Sequence, residues 1–329
     1  NLTGAPNKHP TQHLFKDTLH DTTIKEIDKT LRRLSMKTAP GPSGTPTVAL
    51  KLADTKTKEF IKDLINNVIK EHRMGRTIKQ ALIWFIEKTA MATKIINNFA
   101  AKPQLRPISL CECLMKLITS LLVNRLKPIM KENKILQPHN YAFSDNASTH
   151  DALHSFIMMC QDAEMFGKEI HAVNIDLSKA FDTVPPWART LFCERLGLPR
   201  GFVEILEDLS VDAFSQVVTN FGWSDPYKVK LGLRQGEPTS TNQWNWFLDP
   251  LIARLAKETD HYKLGPTDSS ISKPFNKPSD IDYADDGNYI APHRKAMEHK
   301  CSIIDEFCTT FKLLFNIKKS TYTYKAFCL

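Results

Sequence analysis

Tyr283-Ala284-Asp285-Asp286 sets two adjacent carboxylates at a tight bend between two short apolar stretches. Ile281 and Tyr283 alternate with polar neighbours before the bend, Gly287 offers the positive φ that a hairpin turn uses, and Tyr289-Ile290 resume the strand. The acids are therefore expected at a hairpin tip. Two like charges side by side raise each other's pKa and resist joint ionisation, whereas a bound divalent cation holds both deprotonated. Taken alone, the string reads equally well as a solvated turn, because Asp and Gly dominate turns for local reasons.

A second acidic stretch lies at Val173-Asn174-Ile175-Asp176-Leu177-Ser178-Lys179-Ala180-Phe181-Asp182. From His171 to Leu177 polar and apolar side chains alternate, which puts Asp176 on the polar face at the end of a strand whose other face, Val173 and Ile175, is buried. A helix should follow: Thr183 and Pro185-Pro186 suit its start, Leu191, Phe192 and Leu196 one face, and Gly197 its end. Asp182, just before it, fits a cap or turn role. A strand-end acid beside an acidic hairpin tip can hold two Mg²⁺ ions about 3.5–4 Å apart, the arrangement that clamps attacking and leaving oxygens in phosphoryl transfer. Mg²⁺ suits so sparse a carboxylate set, since water and substrate phosphates complete its octahedron.

With these two sites in place, the chain resembles a reverse transcriptase of the non-LTR (LINE-type) retrotransposon kind. Lys37-Thr38-Ala39-Pro40-Gly41-Pro42-Ser43-Gly44 is similar to the family's K-x-A-P-G-P-D/S-G segment, and Leu105-Arg106-Pro107-Ile108-Ser109-Leu110 to its RPIS finger motif. Lys116 through Asn124-Arg125-Leu126 matches the helix that usually follows. Asp176 to Val184 resembles D-L-S-K-A-F-D-x-V, Arg234-Gln235-Gly236-Glu237-Pro238 with Ser240 resembles Q-G-x-P-x-S, and Tyr283 to Asp286 resembles YADD. Asn316-Ile317-Lys318-Lys319-Ser320 is similar to N-x-x-K-T. The strings stand in the family's order over most of the chain.

The resemblance implies an α+β right-hand polymerase fold with fingers and palm, an antiparallel palm sheet backed by helices. It implies that Asp176 and Asp285 are the main metal ligands, that Asp286 completes the cluster, and that the Leu177 carbonyl serves the nucleotide-bound ion. Phe181 becomes the steric gate, its ring leaving no room for a ribose 2′-hydroxyl; ordinary core packing is its other reading. Gln235 and Gly236 line the nucleotide pocket, Arg106 and Lys88 face the triphosphate, and Lys319 is the proton donor to pyrophosphate. Lys88 and Lys319 read equally well as solvated surface groups. Implied cofactors are two Mg²⁺ ions, with Mn²⁺ able to substitute; implied partners are an RNA template, a DNA primer and dNTPs, and the implied location is intracellular, in the nucleus at the site of insertion.

The 329 residues, 42% of them apolar, can form more than one core, and Lys+Arg 44 against Asp+Glu 36 gives +8, a basic excess available to nucleic acid. The seven cysteines, at 111, 113, 160, 193, 301, 308 and 328, form no Cys-x-x-Cys pair and read as reduced core residues. Leu110 to Leu126, the most apolar stretch, is interrupted by Glu112, Lys116, Asn124 and Arg125 and so reads as a buried or amphipathic helix, leaving no membrane segment in view. The first residue is Asn with no signal-like region after it, which suggests a piece of a longer polyprotein.

Along the chain, residues 1–80 read as an N-terminal helical extension, 81–170 as fingers and 171–329 as palm, with the thumb absent. Helices are expected near Asp21–Ser35 and Lys58–Glu71, a finger strand at Leu82–Ile86 and a polar loop at Lys94–Gln104. A further helix is expected near Phe202–Leu209, then a hairpin joining Gln216–Thr219 to Tyr227–Leu231 across Gly222-Trp223-Ser224-Asp225. After Ser240 comes a helix with the core stripe Trp244, Phe247, Leu248, Leu251, Ile252 and Leu255, Trp246 lying off it; Met297, Cys301, Ile304, Cys308 and Phe311 mark another.

Two segments depart from the family pattern. Phe143, Asn146 and Ala147 replace glycines usual in the template-facing finger loop Asn140–Thr149, and Thr239, Thr241, Asn242 and Gln243 bring polar groups after Gln235-Gly236 where an apolar run and a second proline are usual. The absent thumb and the polar intrusions motivate a second reading, a non-catalytic nucleic-acid-binding remnant of a decayed element. A third, an RNA-dependent RNA polymerase, draws on the Asp176/Asp182 pair, while Phe181 and Gln235-Gly236-x-Pro238 argue against it.

Overall fold

The structure, a computed structural model, describes residues 12–87, 95–96, 99–100, 105–138, 140–142, 147–266 and 280–325. Its elements begin with α1 (Ile24–Arg33), α2 (Thr47–Lys51), α3 (Thr55–Glu71), β1 (Ala81–Glu87), β2 (Ile95–Ile96), β3 (Phe99–Ala100), β4 (Leu105–Cys111) and α4 (Cys113–Glu132). There follow α5 (Thr149–Met165), β5 (Ile170–Ser178), α6 (Ala180–Thr183), α7 (Pro186–Arg195), α8 (Arg200–Asp208), β6 (Phe214–Thr219), β7 (Gly222–Trp223) and β8 (Tyr227–Lys228). The last are α9 (Ser240–Leu255), β9 (Asp280–Tyr283), β10 (Asp286–Ala291), α10 (Arg294–Phe311), β11 (Leu314–Phe315) and β12 (Thr321–Lys325). Lys88, much of the Lys94–Gln104 loop and residues 143–146 lie outside the described residues.

Tertiary contacts divide the described residues into two units, one within Met130–Leu196 and Thr241–Leu329, the other within Pro10–Ile129 and Gly197–Ser240. In the first unit the sheet order is β11-β5-β10-β9, with β12 also beside β5. β5 and β10 run antiparallel with Asp176 opposite Asp286, Ile175 opposite Gly287 and Val173 opposite Tyr289. Paired residues share a face and successive residues alternate, so this register puts Asp176 and Asp286 on one side and Ile175, Val173 and Tyr289 on the other. The second side is covered by α10, whose Ala296 and Met297 pack with Ala291, Val173 and Cys301. On the acid-bearing side, further along, α5 lays Ala152, Met159 and Ala163 against Ile170, Ile281 and Ile290. α5 starts where the sequence can supply both halves of a capping box, Ser148 and Asp151. α7 starts with Pro186 at its first position.

In the second unit β1 pairs antiparallel with β4 and parallel with β6. The expected β6 hairpin turns earlier: Gly222-Trp223, read as part of its turn, instead pair with Thr219-Val218, while Tyr227-Lys228 pair with Ser215-Phe214. Gly222, at φ 117°, allows the tight return. The Ala39–Gly44 loop is tied to the start of α4: Glu112 accepts from the Ser43 amide and hydroxyl at 2.7 and 2.6 Å, and Lys116 donates to the Ala39 carbonyl at 3.3 Å. A Cβ on Gly41 would stand 2.6 Å from the Glu112 nitrogen, which explains the glycine.

Two face assignments are corrected. Leu191, expected on the buried side of its helix, is exposed, while Phe192 and Leu196 are buried. Trp246, placed off the core stripe of α9, is buried with it, since that helix is enclosed on more than one side. Six cysteines among the described residues are free; Cys111, Cys113, Cys193 and Cys308 are buried. Among the described residues no helix is long and apolar enough to cross a membrane.

Candidate active site

The site begins with a two-residue hairpin. Asp286 pairs with Tyr283, so Ala284 and Asp285 alone form the loop. The positive φ that this turn needs falls on Ala284, at 59°, and not on Gly287, where the sequence reading placed it. Gly287 is a strand residue required for another reason. A Cβ there would meet the Tyr289 hydroxyl at 2.5 Å, because the tyrosine ring folds across it to donate a 3.0 Å hydrogen bond to Asp282.

At the end of β5, Asp176 sits opposite Asp286, and the left-handed Lys179 (φ 53°) turns the chain into α6 and Phe181. Partial burial, then the charges of Asp285 and Asp176, push the Asp286 carboxyl above its ordinary range, while Lys319 pulls it back. Asp286 is therefore within electrostatic reach of both Asp285 and Asp176. The segment after α10 closes on Asp176 from the other edge: the Asn316 amide donates to the Asp176 carbonyl at 2.8 Å and its side chain to Asp176 Oδ2 at 2.7 Å. Ser320 Oγ accepts from the Asp176 amide at 3.2 Å, and Lys319 Nζ stands 3.6 Å from Asp176 Oδ1. Lys319 is largely exposed and free to exchange partners. Asn316 carries no role in the sequence reading, although it opens the segment recognised there; its position in the N-x-x-K string was the available signal.

The Phe181 ring stacks on Trp244 of α9, centroids 5.1 Å apart and planes at 19°. The Trp244 indole N–H in turn donates to the Ala284 carbonyl at 2.7 Å. Leu177 pairs with Phe315 of β11. The first unit thus brings together Asp176, Leu177, Phe181, Asp285, Asp286 and Lys319.

Arg106, Gln235 and Gly236 belong to the second unit. Arg106 is an exposed residue of β4 opposite Ile86. The Gln235 carbonyl accepts from the Ser109 amide of β4 at 2.6 Å, and Gly236, at φ 115°, lies so close that a Cβ would stand 2.5 Å from the Ser109 carbonyl oxygen. Only glycine fits that turn.

As a metal centre, the cluster is sparse. Among the described residues no group of three or more His, Cys, Asp or Glu side chains forms a ready-made cage. An exposed strand-end carboxylate, Asp286, pushed up by partial burial and by the neighbouring Asp285 and Asp176 charges, suits a hard cation that draws its remaining ligands from water and substrate oxygens. The residues present therefore fit an openly bound hard divalent cation and do not fit a closed structural site.

Residues 86–327 match the family described as Reverse transcriptase (RNA-dependent DNA polymerase). The chain is 27% identical over 214 residues to the probable RNA-directed DNA polymerase from transposon BS of Drosophila melanogaster, covering 65% of this chain and 23% of that protein. It is 25% identical over 243 residues to the Pol polyprotein of the type-2 retrotransposable element R2DM from the same species, covering 71% and 21%. It thus spans about a fifth to a quarter of these curated relatives. Among solved structures, the apo telomerase of Candida tropicalis truncated from its C-terminal domain superposes with a TM-score of 0.51 at 12% identity, covering 82% of this chain and 56% of the other. That likeness extends to the fold, the α+β right-hand arrangement expected from the sequence.

Proposed function

Since the chain belongs to the reverse transcriptase (RNA-dependent DNA polymerase) family, as a domain of the non-LTR, LINE-type kind, we propose that it extends a DNA primer on an RNA template. In that reaction the primer 3′-oxygen attacks the α-phosphorus of a dNTP and the bond to pyrophosphate breaks. The observation that carries this reading is the cross-strand pair Asp176–Asp286 beside Asp285, with charges that act on one another at an accessible strand end.

The family works with divalent ions. Two Mg²⁺, or Mn²⁺ in their place, would be held by Asp176, Asp285, Asp286 and the Leu177 carbonyl, and when bound supply charge stabilisation to the phosphoryl oxygens. Asn316 fixes the Asp176 carboxylate through its side-chain amide, leaving Oδ1 for other partners. Phe181 excludes a 2′-hydroxyl by bulk, and Lys319, whose ammonium lies 3.6 Å from Asp176 Oδ1, is assigned to protonate the departing pyrophosphate, a role its nearness to the acids supports. Gln235, Gly236, Arg106 and Lys88 are assigned to nucleotide binding on their motifs alone. Further domains of a longer polyprotein, and action in the nucleus at an insertion site, belong to the same proposal.

Primer extension on an RNA template tests it. Expected are templated dNTP incorporation that Asp176→Asn abolishes, and admission of rNTPs by Phe181→Val at about tenfold or more above wild type. Salt-sensitive binding of primer-template without any incorporation would establish the non-catalytic reading instead, and a wild-type preference for rNTPs the RNA polymerase reading.

A further inference from the structure

We propose that Trp244 is a positioning residue that ties the sugar gate to the catalytic turn, so that one side chain governs both ribose discrimination and the setting of the acids. The inference rests on the reading of the site given above.

Trp244 is fully buried, at 0% exposure, and a buried indole N–H needs an acceptor. In this chain the acceptor is the carbonyl of Ala284, the residue whose left-handed φ lets the acid-bearing turn close. An alanine in that region is held by its surroundings rather than by preference. The hydrogen bond from Trp244 is one such restraint, and it acts at the residue immediately before Asp285.

The indole also carries the gate. Phe181 stacks on it at 5.1 Å, and Phe247 adjoins it at 5.5 Å. Phe247 is itself held by Phe192, Phe307 and Phe311, with centroids 5.2–5.4 Å away. A row of rings thus runs from the packed interior to Phe181, which is only half-buried. A gate excludes a hydroxyl only if its ring cannot yield, and contact with a rigid neighbour supplies that resistance. Phenylalanine at 244 keeps an aromatic surface without a donor; leucine supplies neither.

The two functions therefore separate by substitution. With dNTPs, Trp244→Phe should lower kcat about tenfold, leave KM within about twofold and largely keep the dNTP-to-rNTP ratio. Trp244→Leu should show the same kcat loss and in addition cut that ratio about tenfold or more. Because glycine adopts the turn conformation freely, Ala284→Gly in the Trp244→Phe background should restore part of kcat. A purely structural role predicts parallel losses of stability and activity with an unchanged ratio and no rescue, and that outcome overturns the proposal, as do folded variants with wild-type kinetics.

Slow solvent exchange of the Trp244 indole proton, identified by its disappearance in Trp244→Phe, reports the bridge independently of catalysis. If wild type incorporates nothing, the reading of the site fails while a protected proton still supports the bridge. If wild type incorporates dNTPs and the proton exchanges at once, the bridge fails while the reading stands.

Discussion

Asp282 and Asp286 stand on the two arms of one hairpin, yet they face opposite sides of the sheet and meet opposite surroundings. Gly287, not Asp286, is the partner of Asp282, and the pairing rule therefore turns Asp282 toward α10 and Asp286 toward the open side with Asp176. On the covered side, Asp280 is fully buried and receives the Lys300 ammonium at 2.5 Å, while Lys300 also donates to the Ile290 carbonyl. Burial first, then the charge of Asp280, push the Asp282 carboxyl up to about 7, with the Tyr289 hydroxyl and Lys300 pulling it down. Four carboxylates within seven residues thus fall into two classes by strand parity and turn position, one set held by the core and one presented to solvent. The contrast teaches that an acid-rich stretch here encodes both an exposed carboxylate edge, the one assigned to metal binding in the proposed function, and a buried polar support beneath it.

The largest effect expected is on the open set. Asp176→Asn and Asp285→Asn should lower templated incorporation at least about a thousandfold with little change in thermal stability; a large fall in Tm instead would dissolve the distinction. On the covered set the order reverses. Lys300→Met leaves Asp280 buried without its cation and should cost about 3–5 kcal/mol in a denaturant titration, an effect that a merely peripheral ion pair would not show.

Gly287→Ala forces the Tyr289 hydroxyl off Asp282 and should cost about 1–3 kcal/mol. If the variant is as stable as wild type, the tyrosine bridge is not a support. A further effect concerns pH. Because the Asp282 pKa is raised in the folded state, the native form holds a proton that the unfolded chain releases, so this group's contribution declines as pH rises from about 4 to about 7 and is level above that. Asp282→Asn should flatten that part of the stability curve; an unaltered slope would mean the proton is held elsewhere.

Much of this was legible in period-two patterning. The alternation from His171 to Leu177 and the short runs around Asp285 are enough to infer strands and to set the two acidic sites side by side, whereas the register that puts Asp176 opposite Asp286 is visible only in the structure. The glycine was misread because Asp-Gly is the commoner turn signal, whereas pairing of Asp286 with Tyr283 moves the loop one residue upstream onto Ala284. Asn316 was missed because its partner lies 140 residues away, a distance over which local pattern carries no information. For Trp244 the burial was readable from helical spacing, but the destination of its N–H depends on tertiary placement alone. The buried Lys300–Asp280 pair was hidden for the same reason, since composition assigns such residues to the surface.

The separation of β5 from its partners along the chain has a consequence for biosynthesis. Asn174 and Asn288, neighbours across the sheet, are 114 residues apart in sequence. At typical elongation rates a ribosome needs roughly ten seconds to cover that interval. During that time Asp176 has been made without Asp286 to face it, so a nascent chain acquires its acidic cluster late, only after the second hairpin arm has left the exit tunnel.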